Sequence, residues 1–303
     1  MNIRKKGRLL AITAAVLWGV MGIPIRTLTA HGLSAIDIST LRCGVTGIVY
    51  FFYLQKTAPE TLRVDSKGML ISVLYGVTAY SLSFISYSIA VSRIPVSVAT
   101  TLMFLCPVWV TLGSWIVFRE KPTLRKMLSI LICITGAMLV SGPSQAQQVR
   151  LNPVGLAMGV LNGIGAALQI LVPRYYSKLY SRDTLLVYGF LGAAVPLALF
   201  SHFERICGAI TGGGILVLAA IASVSLLCTM VANIAFVKSA ACIPATETSI
   251  LSSLEIVVGS LAGVCLYHER ISSLQTAGIA AVLLGSWISQ LPARQSTRRP
   301  TES

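Results

Sequence analysis

Ten runs of mostly apolar residues follow one another along this 303-residue chain, joined only by short polar or charged connections. A helix of about 20 residues spans the hydrocarbon core of a bilayer, so the runs read as membrane-crossing helices. They extend over Leu9–Leu28, Ser34–Leu54, Met69–Val91, Pro95–Phe118, Met127–Val140, Pro153–Val172, Thr184–Phe203, Ile215–Val237, Pro244–Tyr267 and Thr276–Ile288. The connections leave no room for a soluble catalytic domain, and the tail after Pro292 is polar and basic. The fold class expected is therefore an all-α membrane protein of ten transmembrane helices.

Charge supports the same reading. Hydrophobic residues make up 55% of the chain and charged ones 11%, far from a soluble balance. The net charge of +14 sits mostly between the apolar runs, where the anionic cytoplasmic face of a membrane explains it better than nucleic acid. No nucleic-acid partner is expected. The apolar run after Arg4, Lys5, Lys6 and Arg8 is too long for a signal-peptide core, contains Pro24 and ends in Arg26, so it reads as a retained first helix. Of the 24 basic residues, 18 fall on one side when the N-terminus is cytoplasmic, which predicts cytoplasmic N- and C-termini.

A repeat organises the runs. Ile94-Pro95 opens the fourth and Ile243-Pro244 the ninth, 149 residues apart, and the same offset relates Glu120 to Glu269 and Gly136 to Gly285. Five spans per half is an odd number, so the halves must enter the membrane in opposite senses, as inverted repeats of secondary transporters do. The expected division is 1–145 for the first repeat, 146–291 for the second and 292–303 for a cytoplasmic tail.

Several motifs carry a resemblance across nearly the whole chain. They are Leu17-Trp18-Gly19, Arg42, Cys106-Pro107 leading to Arg119-Glu120-Lys121, and Leu254-Glu255 leading to His268-Glu269-Arg270. In this order the chain resembles the EamA-type members of the drug/metabolite transporter superfamily. That resemblance implies a ten-helix bundle with a central cavity that moves amino acids, nucleosides, drugs or related metabolites. Ile256 departs from the family, whose second repeat often carries proline there, and imposes no helix break.

Individual residues then become candidates. Glu255 lies about 16 Å along the ninth run and Arg42 about 12 Å along the second, so both fall near the bilayer midplane. A carboxylate at that depth calls for a cavity or a partner. Arg42 and Glu255 are expected either to pair or to hold opposite ends of a zwitterionic substrate, with a permanent structural pair as the bland alternative. Glu255 is also the candidate proton carrier. Glu247, one turn into the ninth run, is a second candidate for proton coupling or gating, set against simple stabilisation by its helix N-terminus. Trp18, Tyr80, Tyr87, Trp109, Asn162, Gln169 and Asn233 complete the expected substrate-binding set, the amides with most force because hydrocarbon offers them no partner. Asp37 reads as a helix-end carboxylate, and Glu120 and Glu269 as interfacial anchors. Gly155, Gly159 and Gly163 form a flat stripe for helix packing within the chain, with a homodimer seam as the alternative.

Enzyme chemistry finds no support: His31, His202 and His268 are scattered, no HExxH or phosphate-binding loop occurs, and seven cysteines lack metal-ligand spacing. No cofactor or metal is implied. The partners expected are a small-molecule substrate and the lipid bilayer, with proton coupling. The function expected is secondary active transport in a cell membrane, with export the favoured direction, by alternating access around a midplane cavity. A non-transporting membrane subunit or lipid flippase of the same fold is the alternative.

Overall fold

The computed structural model describes residues 2–141, 152–177, 179–267 and 272–290, and among these it is helical throughout, with no strand. Glu269 and the expected tail lie outside the described residues.

In chain order the helices are α1 (Ile3–Gly19), α2 (Gly22–Ala30), α3 (Ala35–Thr57), α4 (Ser66–Tyr75), α5 (Leu82–Val91), α6 (Val96–Met103), α7 (Cys106–Phe118), α8 (Leu124–Ser141), α9 (Pro153–Tyr176), α10 (Arg182–Leu199), α11 (Phe203–Ala222), α12 (Ala232–Cys242), α13 (Ala245–Ser252), α14 (Leu254–Tyr267) and α15 (Ser273–Gln290). Joined end to end where they continue one another, they give eight segments long and apolar enough to cross a membrane, plus the shorter apolar helix Ser273–Ser289. Large apolar side chains such as Ile116, Leu131 and Leu199 stand exposed on the outside, as lipid-facing positions require.

The places where helices depart from regularity are the informative ones. Pro107 has no amide hydrogen to give one turn back, and the fourth span breaks at Phe104-Leu105, between α6 and α7. The ninth span breaks between α13 and α14 although Ile256 can donate; its amide bonds Ser253 O three residues back, at 3.1 Å, rather than four. The expectation of an unbroken ninth helix is thus corrected. Wide π-helical turns interrupt the third and eighth spans, at Gly76–Ser81 and Ser223–Val231. Both kinds of irregularity recur at corresponding places 149 residues apart. A second correction concerns Phe203, read as the end of the seventh span. It instead opens α11, which turns sharply at Gly214 with φ 51° and ψ −133°, a conformation glycine holds without steric cost.

Packing repeats as well. α8 lies along α15, with their glycines in contact: a Cβ on Gly136 would come within 2.6 Å of Gly278 O. α3 lies along α10, fastened by Tyr50, whose hydroxyl donates to Asp183 Oδ1 at 2.7 Å. α1 packs on α12, α13 and α14, and its counterpart α9 packs on α5, α6 and α7. The Arg26 guanidinium lies 4.2 Å over the Tyr267 ring, and Arg174 lies 4.5 Å over Phe118, the residue 149 positions before Tyr267. The stripe of Gly155, Gly159 and Gly163 is covered by Ile94, Leu102 and Trp109 of the same chain, so it is an internal contact and not a dimer seam.

One set of contacts does not repeat. At the end that holds the start of α1, α7 packs on α13, and α9 packs on α12 and α13. The counterpart contacts at the other end, α14 with α6 and α1 with α5 and α6, are marginal at most among the described residues. An apolar cluster that includes Ala14, Val110, Ile170, Phe236, Ala240 and Ala245 fills the first end. The position matching Phe236 at the second end is Tyr87, which together with Asn162 borders open space.

Candidate substrate cavity

That open space is a cavity of about 470 Å³ between the two groups of helices. It reaches past Ile25 of α2, Ala35, Ile38 and Ser39 at the start of α3, and Ser88 near the end of α5, and its floor lies against Phe236. The opening is therefore at the end opposite the start of α1.

The π turns and the helix breaks bring the polar groups together. In the eighth span the Thr229 hydroxyl donates to Val224 O at 2.7 Å, five residues back, and its own oxygen accepts from Arg42 Nε at 2.9 Å. Arg42 is only 8% exposed, its guanidinium lies 5.1 Å over the Phe84 ring, and it has no ion pair among the described residues. An unpaired buried guanidinium with an aromatic platform leaves its remaining donors for something that enters the cavity.

Tyr80 sits in the π turn of the third span and donates its hydroxyl to Asn233 Oδ1 at 2.9 Å; Asn233 Nδ2 in turn donates to Thr229 O at 2.8 Å. Ser83 donates to Asn162 Oδ1 at 2.7 Å. The three bonds Arg42–Thr229, Tyr80–Asn233 and Ser83–Asn162 all cross from the first half of the chain to the second. Asn162 is 3% exposed, and its Nδ2 is buried with no partner. A buried amide hydrogen left unsatisfied costs about 1–3 kcal/mol, which an acceptor in the cavity would recover.

Glu255 also lines the cavity, in the first turn of α14 just past the break, and makes no hydrogen bond or ion pair to the described residues. Arg42 and Glu255 therefore share a cavity but do not pair with each other, which corrects the direct ion pair expected from their depth. Trp18, packed edge-on against Phe236 with centroids 4.8 Å apart, lines it as well, as do Tyr87, whose hydroxyl is 3.3 Å from Thr100 Oγ1, and Gln169, which donates to Ala79 O at 2.9 Å.

Two expected residues lie elsewhere. Trp109 does not border the cavity; its indole is packed beside Gly163, with Nε1 buried and unpartnered. Glu247 accepts from Arg8 Nε at 2.8 Å, an ion pair that ties α13 to α1 away from the cavity. Asp37 caps α3 by accepting from Ser34 and also accepts the His202 amide at 2.8 Å, and Glu120 pairs with Arg174. Thr229, Phe84, Ser83 and Phe236 line the cavity without having been singled out in the sequence. The repeat offset carries that signal, since it maps Tyr80 onto Thr229 and Phe84 onto Asn233.

Membrane-length helices that break, widen and close around a cavity with a few polar groups define a multi-pass membrane transport protein. The chain belongs to the EamA-like transporter family, whose pattern matches residues 5–142 and again 153–290. It is similar to an "Uncharacterized transporter" of Archaeoglobus fulgidus, 25% identical over 286 residues that cover 94% of this chain and 98% of that protein. It is also similar to "Uncharacterized inner membrane transporter YicL" of Salmonella typhimurium, 22% identical over 304 residues, 98% of this chain and 99% of the other. A solved crystal structure superposes with a TM-score of 0.78 at 14% identity, over 94% of this chain and 96% of that one, a likeness of fold alone.

Proposed function

We propose that this transporter is a secondary active carrier, an exporter of a small metabolite such as an amino acid or drug-like compound, working by alternating access around the central cavity. Ten spans form two inverted five-helix repeats, residues 1–145 and 146–291, with both termini cytoplasmic and a cytoplasmic tail after them. The observation that carries the reading is one cavity, between broken and bulged helices, holding Arg42 and Glu255 unpaired with each other. A guanidinium on an aromatic face suits a carboxylate, and a facing carboxylate suits an ammonium, so a zwitterion satisfies both.

The moving parts are the group of α1, α12, α13 and α14 and the group of α9, α5, α6 and α7. They meet at the cytoplasmic end and part at the outer one. Because the groups are repeat-related, exchanging their conformations generates the opposite state: α14 closes on α6, and the cytoplasmic cluster of Val110, Phe236 and Ala245 comes apart. Cys106 and Ser249, 3.7 Å apart across the closed end, correspond by the repeat offset to Glu255 and Thr100. Closing the outer end would thus bring the Thr100 hydroxyl to Glu255, so the carboxyl changes surroundings between states, as a proton carrier must. Glu247, held by Arg8, acts in this scheme within one moving group rather than as the carrier.

The test is solute flux in vesicles containing only the purified protein and an imposed pH gradient. Gradient-driven flux of zwitterionic metabolites supports the reading; a protein that moves no solute under any gradient would instead be a non-transporting subunit.

A further inference from the structure

Away from the central cavity, a second hollow of about 390 Å³ opens at the end that holds the start of α1. Three arginines border it from three helices: Arg4 of α1, Arg174 near the end of α9 and Arg182 at the start of α10. Its remaining wall is the joint between α12 and α13, Ala240 to Pro244, with Ser177 opposite. Glu120 offsets one of the three charges by pairing with Arg174, and Arg174 Nη1 is left buried with no partner. Arg4 and Arg182 form no ion pair among the described residues.

Three cations converging on one hollow, with one carboxylate paired to them among the described residues, repel one another unless an anion enters. The repeat makes the feature specific to this end. The residues 149 positions from Arg4, Arg174 and Arg182 are Pro153, Ile25 and Leu33, none of them basic.

We propose that this hollow is a binding site for a phosphate-bearing anion, and that its occupant stabilises the state closed at this end. The geometry supplies the second half: Arg4 and the α12–α13 joint belong to one group of helices and Arg174 and Ser177 to the other. A phosphate held by both groups bridges them, and the site comes apart when they part. The acidic headgroups of the cytoplasmic leaflet and free phosphate share this chemistry. The inference rests on the two-group motion proposed above only for its effect on state, not for binding itself.

The experiment uses the full-length protein in neutral detergent, titrated separately with short-chain phosphatidylglycerol, short-chain phosphatidylcholine and inorganic phosphate. Native mass spectrometry counts the bound molecules. One phosphatidylglycerol or phosphate should be retained at low concentration, and Arg4→Gln/Arg182→Gln should weaken it by about tenfold or more. Lys5→Gln/Lys6→Gln, which removes the same charge from side chains that do not border the hollow, should leave it within about twofold. Retention of phosphatidylglycerol alone assigns a lipid headgroup, and retention of inorganic phosphate as well assigns the free anion. Equal losses in the two double variants, or no preference over phosphatidylcholine together with no phosphate binding, would overturn the site. Arg4→Lys/Arg182→Lys should restore binding and guards against misfolding. A cysteine pair at Thr111 and Thr246 then reads the effect on state: phosphatidylglycerol or phosphate should speed its crosslinking, and an unchanged rate would overturn the stabilising role while leaving the site.

Discussion

The two ends of this molecule are built from corresponding segments and yet are packed differently. At one end α7 meets α13 around the apolar cluster of Val110, Phe236 and Ala245; at the other, α6 and α14 stand apart and Tyr87 and Asn162 face a cavity. Equivalent segments in unequal contacts are the arrangement that the proposed alternating access calls for, the matching contacts at the open end being those its second state would make. The ends also differ in sequence: Arg8–Glu247 ties α1 to α13, whereas Val98, at the position matching Glu247, packs with Leu156 in an apolar cluster at the other end. One end is held by charge, the other by hydrocarbon.

The largest effect expected is from Glu255→Gln, which removes the only carboxylate bordering the cavity among the described residues. Net transport driven by a pH gradient should be lost while the purified protein keeps its thermal midpoint within a few degrees, and solute exchange without a gradient can persist. Undiminished gradient-driven transport would return Glu255 to a packing role. Next comes a cysteine pair at Thr111 and Thr246, whose hydroxyls lie 3.4 Å apart across the closed end. Oxidation should cut transport by about tenfold or more and reductant should restore it; free transport in the crosslinked protein would mean that this end never opens.

The sequence makes some of this site legible and hides the rest for physical reasons. Asn162, Gln169 and Asn233 stand out because an amide in an apolar helix must find a partner, and all three border the cavity. Trp109 shows why aromatics are ambiguous: an indole serves equally well as packing against Gly163. Arg42 and Glu255 are visible by depth, but depth along a helix axis carries no rotation, so it could not tell a shared cavity from an ion pair. Thr229 is hidden because a threonine in a helix ordinarily bonds back four residues, and only the π turn sends its hydroxyl to Val224 and frees the oxygen for Arg42. The break before α14 is equally silent, since Ile256 carries no steric instruction, whereas Pro107 announces its counterpart. Ten apolar runs were legible, but not that Phe203 starts a helix of its own, because the turn depends on one glycine's positive φ.

A smaller and more selective effect is expected at Arg42. Arg42→Ala should weaken binding of carboxylated solutes by about tenfold, in line with the loss of one charge-assisted contact of about 1.5 kcal/mol, and change neutral solutes much less. Equal losses for both classes would point to collapse of the cavity wall. Smallest is Glu247→Gln. Arg8 and Glu247 are partly exposed, so losing their attraction is worth about 1 kcal/mol or less, a shift of about fivefold or less in the ratio of the two states, readable as accessibility of a cysteine at Ala245. The charge-reversed pair Arg8→Glu/Glu247→Arg should recover most of it.

The most direct measurement follows both ends at once, with spin labels on α7 and α13 reporting the gap at the closed end and on α6 and α14 reporting the gap at the open end, in bilayers with and without a pH gradient. Alternating access requires that the two distances change in opposite senses, the first short when the second is long, as they are in this structure. Distances that lengthen together, or that stay fixed while solute is transported, would contradict it.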